Sequence, residues 1–371
     1  VNWSFELTSS DGAARSGRLS MPHGDVDTPA FMPVGTAGAV KGVTPDELRA
    51  CGAQIILGNT YHLYLRPGHE VVRELGGLHG FMDWPGPILT DSGGFQVMSL
   101  GGLCRVEEQG VRFQSHLDGS AHLLTPEGAM EIQAALGSDV AMALDICPRL
   151  PSTRDEVEQA VSRTTRWARR SLDAYRGPGV PFGIVQGGTY PDLRERSARE
   201  LLELDFAGYA VGGVYVGEEP DAAAETVRHA VGLLPADRPR YLMGVGRPRD
   251  LVDAVAAGLD MFDCVIPTRN ARNGQLFTSR GRINIKRQEY RRDPRPLDED
   301  CPCEACRRHS RAYLRHLFVS KEILGCRLNT IHNLTYYLQL MERMRKAIAA
   351  GRFDGFRREF DSRAEGRGNE P

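Results

Sequence analysis

The chain has 371 residues, 41% of them hydrophobic and 25% charged, with 41 Gly and 22 Pro. That apolar content supplies a core and excludes an intrinsically disordered chain, and no run of about 18 apolar residues offers a membrane-spanning helix. The formal charge is −2, yet Asp263–Thr330 carries 15 Lys/Arg against 8 Asp/Glu, leaving the remainder at −9; a basic sector on an acidic protein is the footprint of a local contact with phosphate.

The N-terminus, Val-Asn-Trp-Ser-Phe-Glu-Leu, lacks the basic start and apolar stretch of a secretory signal, so a cytoplasmic location is expected. From Phe31 to Thr268 short apolar runs alternate with longer amphipathic segments. The runs are Phe31–Val34, Gln54–Gly58, Ile88–Thr90, Val140–Leu144, Phe182–Val185, Tyr209–Val211, Arg240–Gly244 and Met261–Ile266. Each is bounded by Gly, Pro or polar residues, as buried strands are. Helix starts lie between them. Thr44-Pro45-Asp46-Glu47 combines a cap, a first-turn Pro and two acids, and Thr125-Pro126-Glu127 and Tyr190-Pro191-Asp192 repeat the pattern. Glu156–Tyr175 reads as a long exposed helix, and Arg249–Ala257 closes at Gly258.

Eight strands separated by helices predict an α/β protein, a (β/α)8 TIM barrel, with an open doubly wound sheet as the competing architecture. A barrel demands that functional residues collect just past its strands. Asn59, Asp91, Asp145, Gln186, Gly212, Gly213, Gly246 and Asp263 all occupy such positions. Beyond the eighth strand the composition changes to Arg and turn formers, then a Cys cluster, then two amphipathic stretches, Ser310–Leu324 and His332–Ala350. The expected division is a catalytic barrel over 1–268, a basic zinc-binding subdomain with C-terminal helices over 269–360, and a flexible tail over 361–371.

Cys301, Cys303 and Cys306 form a C-x-C-x-x-C array, with His332 further along. Three thiolates and an imidazole suit a tetrahedral structural zinc site with no position left for water. His309 and His316 are alternative fourth ligands, but His332, on a separate helix, would join more chain. Cys51, Cys104, Cys264 and Cys326 read as small buried residues.

Four motifs end consecutive or neighbouring strands: Thr90-Asp91-Ser92-Gly93-Gly94-Phe95-Gln96, Ile184-Val185-Gln186-Gly187-Gly188, Ala210-Val211-Gly212-Gly213 and Met261-Phe262-Asp263-Cys264. Singly each has an ordinary reading, such as a helix-capping Asp or a Gln bonded to loop backbone. Together with Tyr241-Leu-Met-Gly-Val-Gly246, Pro267-Thr-Arg269 and the Cys/His array, in this order from Pro29 to Phe353, they resemble the tRNA-guanine transglycosylases. Those enzymes exchange a guanine of tRNA for a 7-deazaguanine, and their fold is a (β/α)8 barrel with a zinc-bearing insertion near the C-terminus.

The resemblance implies roles. Asp263 would be the nucleophile that traps ribose C1′ covalently, and Asp91 the general acid and base. Asp145 would accept the N–H groups of the base, with Gln186 and the Gly213 amide as donors to O6. Met243 and Phe95 would sandwich the ring, while Asn59 and Ser92 would fix the nucleophile and neighbouring ribose. Arg247, Arg269 and Arg272 would hold the flanking nucleotides, and Arg280–Arg295 would track phosphates of the anticodon stem-loop. Cys147 and Glu218 match the bacterial type that uses preQ1, whose aminomethyl group the Val214 carbonyl would accept. Ile146 and the pair Val214-Tyr215 depart from that pattern, which keeps queuine as an alternative incoming base. A non-catalytic RNA-binding paralogue would be expected to have lost Asp91 or Asp263, and both are present. The family acts as a homodimer on guanine at anticodon position 34.

Overall fold

The computed structural model describes residues 3–148 and 151–365. Its centre is a parallel barrel of eight strands: β1 (Ala30–Met32 with Val34–Gly35), β2 (Ile56–Gly58), β3 (Ile88–Thr90), β4 (Val140–Met142), β5 (Val180–Val185), β6 (Gly208–Val211), β7 (Arg240–Leu242) and β8 (Met261–Asp263). Pro33, which has no N–H to give a ladder, divides β1. The first half pairs with β8 and the second with β2, so the one broken strand closes the ring. Seven of the eight expected runs lose or gain a residue or more at their ends, and only Ile88–Thr90 keeps its bounds. Met261–Ile266 differs most, because Ile266 starts the helix Ile266–Arg272.

Helix starts follow the local chemistry. Thr44 and Thr153 each close a reciprocal capping box with a Glu three residues on, and Thr125 caps the helix Pro126–Leu136. Pro opens the helices Pro191–Leu202, Pro220–Gly232 and Pro248–Ala256, where its missing N–H costs nothing.

Three antiparallel additions go beyond the expected elements. An N-terminal meander (Ser4–Asp11, Ala14–Met21, Gly24–Thr28) places Leu19, Met21 and Val26 in one apolar cluster with Leu57, Leu89, Met142, Ile184 and Met261 of the barrel interior. It plugs the barrel floor. Arg15 of this meander is buried and forks onto Asp260, Nε to Oδ1 at 2.9 Å, just before β8. A small sheet (Cys104–Val106, Val111–Gln114, Ala121–Leu124) follows β3, and a hairpin (Gln275–Thr278, Gly281–Asn284) follows β8.

The C-terminal helices fall differently from expectation. One helix ends at Val319, Lys321 takes φ +60°, and a single long helix, Ile323–Ala349, then runs through the expected gap. His332 therefore lies in mid-helix. A further helix, Phe353–Glu365, reaches into the segment expected as a tail; residues 366–371 lie outside the described residues. Among the described residues no helix is long and apolar enough to cross a membrane.

Candidate active site

The C-terminal ends of parallel strands leave room for loops, and here they bring three carboxylates together. Asp91 directly follows β3 and accepts from the Thr60 and Gly93 amides on Oδ1, at 2.8 and 3.2 Å, and from Asn59 Nδ2 and Gln96 Nε2 on Oδ2, at 2.5 and 2.8 Å. Thr60 opens the helix Thr60–Leu65, so its amide is one of the donors a helix start leaves free; Asn59, at the cap position, spends its side chain on Asp91 instead. Burial pushes the Asp91 carboxyl up to about 6; the neutral donors pull against this, and Asp263 adds to the rise.

Asp145, just past β4, is also pushed up to about 6 by burial, against the pull of Gln186 and Ser92 and with a push from Asp91. Gln186 Nε2 donates to its Oδ2 at 2.7 Å. Asp263 ends β8. Its Oδ1 accepts from the Tyr241 hydroxyl at 2.5 Å and the Gly244 amide at 2.8 Å, and burial raises its pKa while these two donors oppose. Burial and Asp263 push Tyr241 well up, which keeps its hydroxyl a donor. Asp91 thus feels the charge of Asp263, and Asp145 that of Asp91. No Lys or Arg hydrogen-bonds any of the three among the described residues.

Glycines form the wall after β6. A Cβ on Gly212 would fall 2.6 Å from Gln186 Nε2, and one on Gly213, at φ +63°, 2.4 Å from Gln186 Oε1 and 3.7 Å from Cys147 Sγ. Val214 and Ser92 are buried, Met243 is half-buried, and Phe95 is 54% exposed at the start of the helix Gly94–Met98. Burial pushes the Cys147 thiol up to about 12 and that of Cys264 up to about 11, so neither supplies a thiolate. Glu218 gathers the Tyr215, Val216 and Gly217 amides at 2.6, 2.8 and 3.1 Å, which holds Tyr215 at φ +60°.

Arg247, at the cap of the helix that follows β7, and Arg269, in the last turn of the helix that follows β8, are both exposed. Arg272 is half-buried, with its Nη1 lacking a partner among the described residues; burial lowers its pKa and Arg269 adds to the fall. The sequence reading assigned no role to Gln96, Tyr241 or Arg194. A Tyr inside a buried strand needs a partner for its hydroxyl, which was the available signal for Tyr241; Arg194, next to Glu195 and Arg196, gave none.

Away from the mouth, Cys301, Cys303, Cys306 and His332 bring their ligand atoms within 4.8 Å of one another. His332 Nδ1 lies 3.6 and 3.3 Å from the sulfurs of Cys303 and Cys306, and its Nε2 donates to the Phe277 carbonyl at 2.8 Å. That outer bond fixes the tautomer with the Nδ1 lone pair facing the sulfurs, as a metal-binding imidazole requires. The cluster is buried and its donor set fits a metal ion. His309 and His316 are not in it. Of the remaining cysteines, Cys51 and Cys264 are buried, whereas Cys104 and Cys326 are only half-buried.

A second cluster joins His23, His79 and Asp139 at the barrel floor. The two rings stack with centroids 3.5 Å apart and planes within 15°, aiming His23 Nδ1 and His79 Nε2 at the two oxygens of Asp139, 2.8 and 3.2 Å away. Nearly parallel planes direct the two lone pairs side by side, so no single ion lies in the plane of both rings; His23 Nδ1 hydrogen-bonds Asp139, while His79 Nε2 makes no hydrogen bond among the described residues.

Comparison with known proteins adds to this geometry. The model of the family described as "Queuine tRNA-ribosyltransferase" matches residues 10–365. The chain is 58% identical over 362 residues to the queuine tRNA-ribosyltransferase of Solidesulfovibrio magneticus, covering 96% of this chain and 97% of that protein. It is 57% identical over 361 residues to that of Nitratidesulfovibrio vulgaris, with 96% of each covered. With that of Pelotomaculum thermopropionicum it shares 57% over 366 residues, 98% of this chain and 99% of the relative.

Proposed function

Because the chain belongs to the queuine tRNA-ribosyltransferase family, we propose that its barrel mouth exchanges guanine at position 34 of GUN anticodons, those of tRNAs for Asp, Asn, His and Tyr, for the 7-deazaguanine preQ1. The observation that carries this reading is the set of three carboxylates, Asp91 and Asp145 buried and Asp263 half-buried, served only by neutral donors. Such groups keep the reactivity that a Lys or Arg partner would quench.

Asp263 attacks ribose C1′. Its Oδ1 is held by Tyr241 and Gly244, so Oδ2 forms the bond. The C1′–N9 bond breaks, its electron pair leaves with the base, and Asp91 supplies the proton; a carboxyl raised to about 6 has a proton to give near neutrality. Guanine departs from a ribosyl ester on Asp263. Asp91 then takes a proton from the incoming base, whose nitrogen attacks C1′ and frees the carboxylate. Two inversions retain the configuration.

Asp145 faces the ring N–H and amine of the base, and Phe95, exposed beside Asp91, supplies a stacking face with Met243 opposite. Gln186 Nε2 already gives one hydrogen to Asp145 and keeps its second for O6. Arg247, Arg269 and Arg272 contact the nucleotides on either side, and the orphaned Nη1 of Arg272 suits a phosphate oxygen. Val214 and Cys147 border the aminomethyl end of preQ1. A queuine-type base is the second reading, favoured by Ile146 in place of a polar residue.

Zinc is the ion that three thiolates and one imidazole suit, and it supplies folding energy only, joining the 301–306 loop to the long helix. Cys306→Ser is expected to lose both the metal and the cooperative melt of the C-terminal segment; unchanged metal content in the purified variant contradicts that ligand set. Exposed Val319, Ile323 and Leu324, the second of them 83% exposed, support a homodimer through this region.

The test of function uses tRNA carrying labelled guanine at position 34, incubated with preQ1 or with queuine. Release driven by preQ1 is expected. Release by queuine alone would favour the second reading, and release by neither would overturn both.

A further inference from the structure

The Pro191–Leu202 helix turns one charged side chain inward beneath the loops after β5 and β6. Arg194 is 0% exposed and its guanidinium hydrogen-bonds no carboxylate among the described residues. It donates instead to four backbone carbonyls: Nε to Gly188 at 2.9 Å, Nη1 to Val185 at 2.9 Å and Gly212 at 2.8 Å, and Nη2 to Gly213 at 3.1 Å. Burial brings its pKa down to about 10, which leaves it charged at neutral pH. A buried cation with no carboxylate bonded to it, only Glu218 acting from a distance, is costly, and a strand-to-loop staple needs no charge.

The peptide geometry gives the charge a use. In a trans peptide the C=O and N–H lie in one plane and point in opposite directions across the C–N bond. Fastening the Gly212 carbonyl to Nη1 therefore turns the Gly213 N–H the other way. Gly213 itself lies against Gln186 and Cys147 in the wall of the base site, where even a Cβ would meet them. The Gly213 amide has no backbone acceptor among the described residues, so it is a donor held in readiness. Gly187, at φ +144°, makes the arrangement accessible, because a Cβ there would meet Arg194 N at 2.7 Å.

We propose that Arg194 is a positioning residue for the base: it locks the Gly213 N–H as a donor to the O6 carbonyl of a guanine-type base, and its charge behind that peptide selects bases with a strong acceptor at this position. The inference rests on the reading given under Proposed function. The same donor stabilises the electron density that O6 gathers as the base leaves C1′.

The test compares guanine with 6-thioguanine, which keeps the ring N–H but replaces the oxygen by a poorer acceptor. In Arg194→Met the KM for guanine is expected to rise about ten-fold, the worth of one charge-backed hydrogen bond, and in Arg194→Lys by less, with a much smaller change for 6-thioguanine and none in the KM for tRNA. Lys, which keeps the charge without the fork, should recover part of the loss. Equal losses for both bases would mean that Arg194 only holds the fold together. A second measurement needs no variant: the carbonyl stretch of isotope-labelled guanine should move to lower frequency on binding the wild-type protein, and an unmoved stretch overturns the proposal. Failure of the wild type to release guanine at all would count against the transglycosylase reading instead, so the two failures are distinguishable.

Discussion

At the barrel floor, Asp260 faces the Arg15 guanidinium and Asp139 faces His23 and His79, whereas at the mouth Asp91, Asp145 and Asp263 face only amides and hydroxyls. Four of these five carboxylates are buried and Asp263 is half-buried. Burial alone would raise Asp139, yet His79, His23 and the Ile88 amide bring it below the ordinary carboxylate value. The mouth carboxyls stay raised, and so does Asp260, where burial outweighs Arg15. The comparison teaches that the partner decides what a buried carboxylate is for: the Arg15 fork ties Asp260 to one fixed partner and makes it a rivet, while a neutral donor orients a carboxyl and leaves its proton exchangeable, as a reagent needs.

Breaking this contrast should have its largest effect at the mouth. Asp263→Asn is expected to lower base exchange by at least about 10⁴-fold while leaving the melting temperature unchanged or higher. A variant that unfolds in step with its loss of activity would place Asp263 among the rivets. The reverse result is expected at the floor. Arg15→Met leaves Asp260 buried without its cation and should cost about 3–5 kcal/mol in denaturant unfolding, with the exchange rate of the folded fraction unchanged.

The contrast sharpens with pH. A carboxyl raised to about 6 in the folded chain binds its proton more tightly there than when unfolded, so its contribution favours folding at low pH and is lost as pH rises through 6. Asp91→Asn removes that term. The variant should therefore gain about 1–3 kcal/mol over wild type above pH 7, and the gain should shrink between pH 6 and 4. Asn59 and Gln96 both contact Oδ2 through side-chain amides, which can turn over to receive the new NH2. A gain that does not vary with pH would mean that Asp91 is not the titrating group. The smallest effect belongs to Phe95→Ala. Its ring is half in solvent, so stability should move by less than about 0.5 kcal/mol, while the KM for the base rises about ten-fold through lost stacking. An unchanged KM would remove Phe95 from the base site.

Much of this was legible in the sequence because buried parallel strands read as short apolar runs, and barrel chemistry sits just past them. Asp91, Asp145, Gln186 and Asp263 were found that way. The three antiparallel additions were not. Ser4–Asp11 is largely exposed and its polar residues imitate a loop, and Ala121–Leu124 is only four residues long. The meander's contribution depends on Leu19 and Val26 reaching the interior of a barrel formed far along the chain, a contact no local pattern encodes. The helix break at Lys321 was hidden because nothing on either side of it is Gly or Pro. Arg194 looked like one more surface Arg in a helix rich in them; only the folded chain places it under four carbonyls.

The central claim, that Asp263 opens the glycosidic bond by becoming esterified to ribose with Asp91 as its proton partner, is tested most directly by trapping that ester. An anticodon stem-loop is incubated with the protein, the released guanine is removed, and the denatured adduct is digested for mass spectrometry. The account predicts a ribosyl ester on Asp263 that is absent from Asp263→Asn. An adduct on another side chain, or one that survives the substitution, would contradict it.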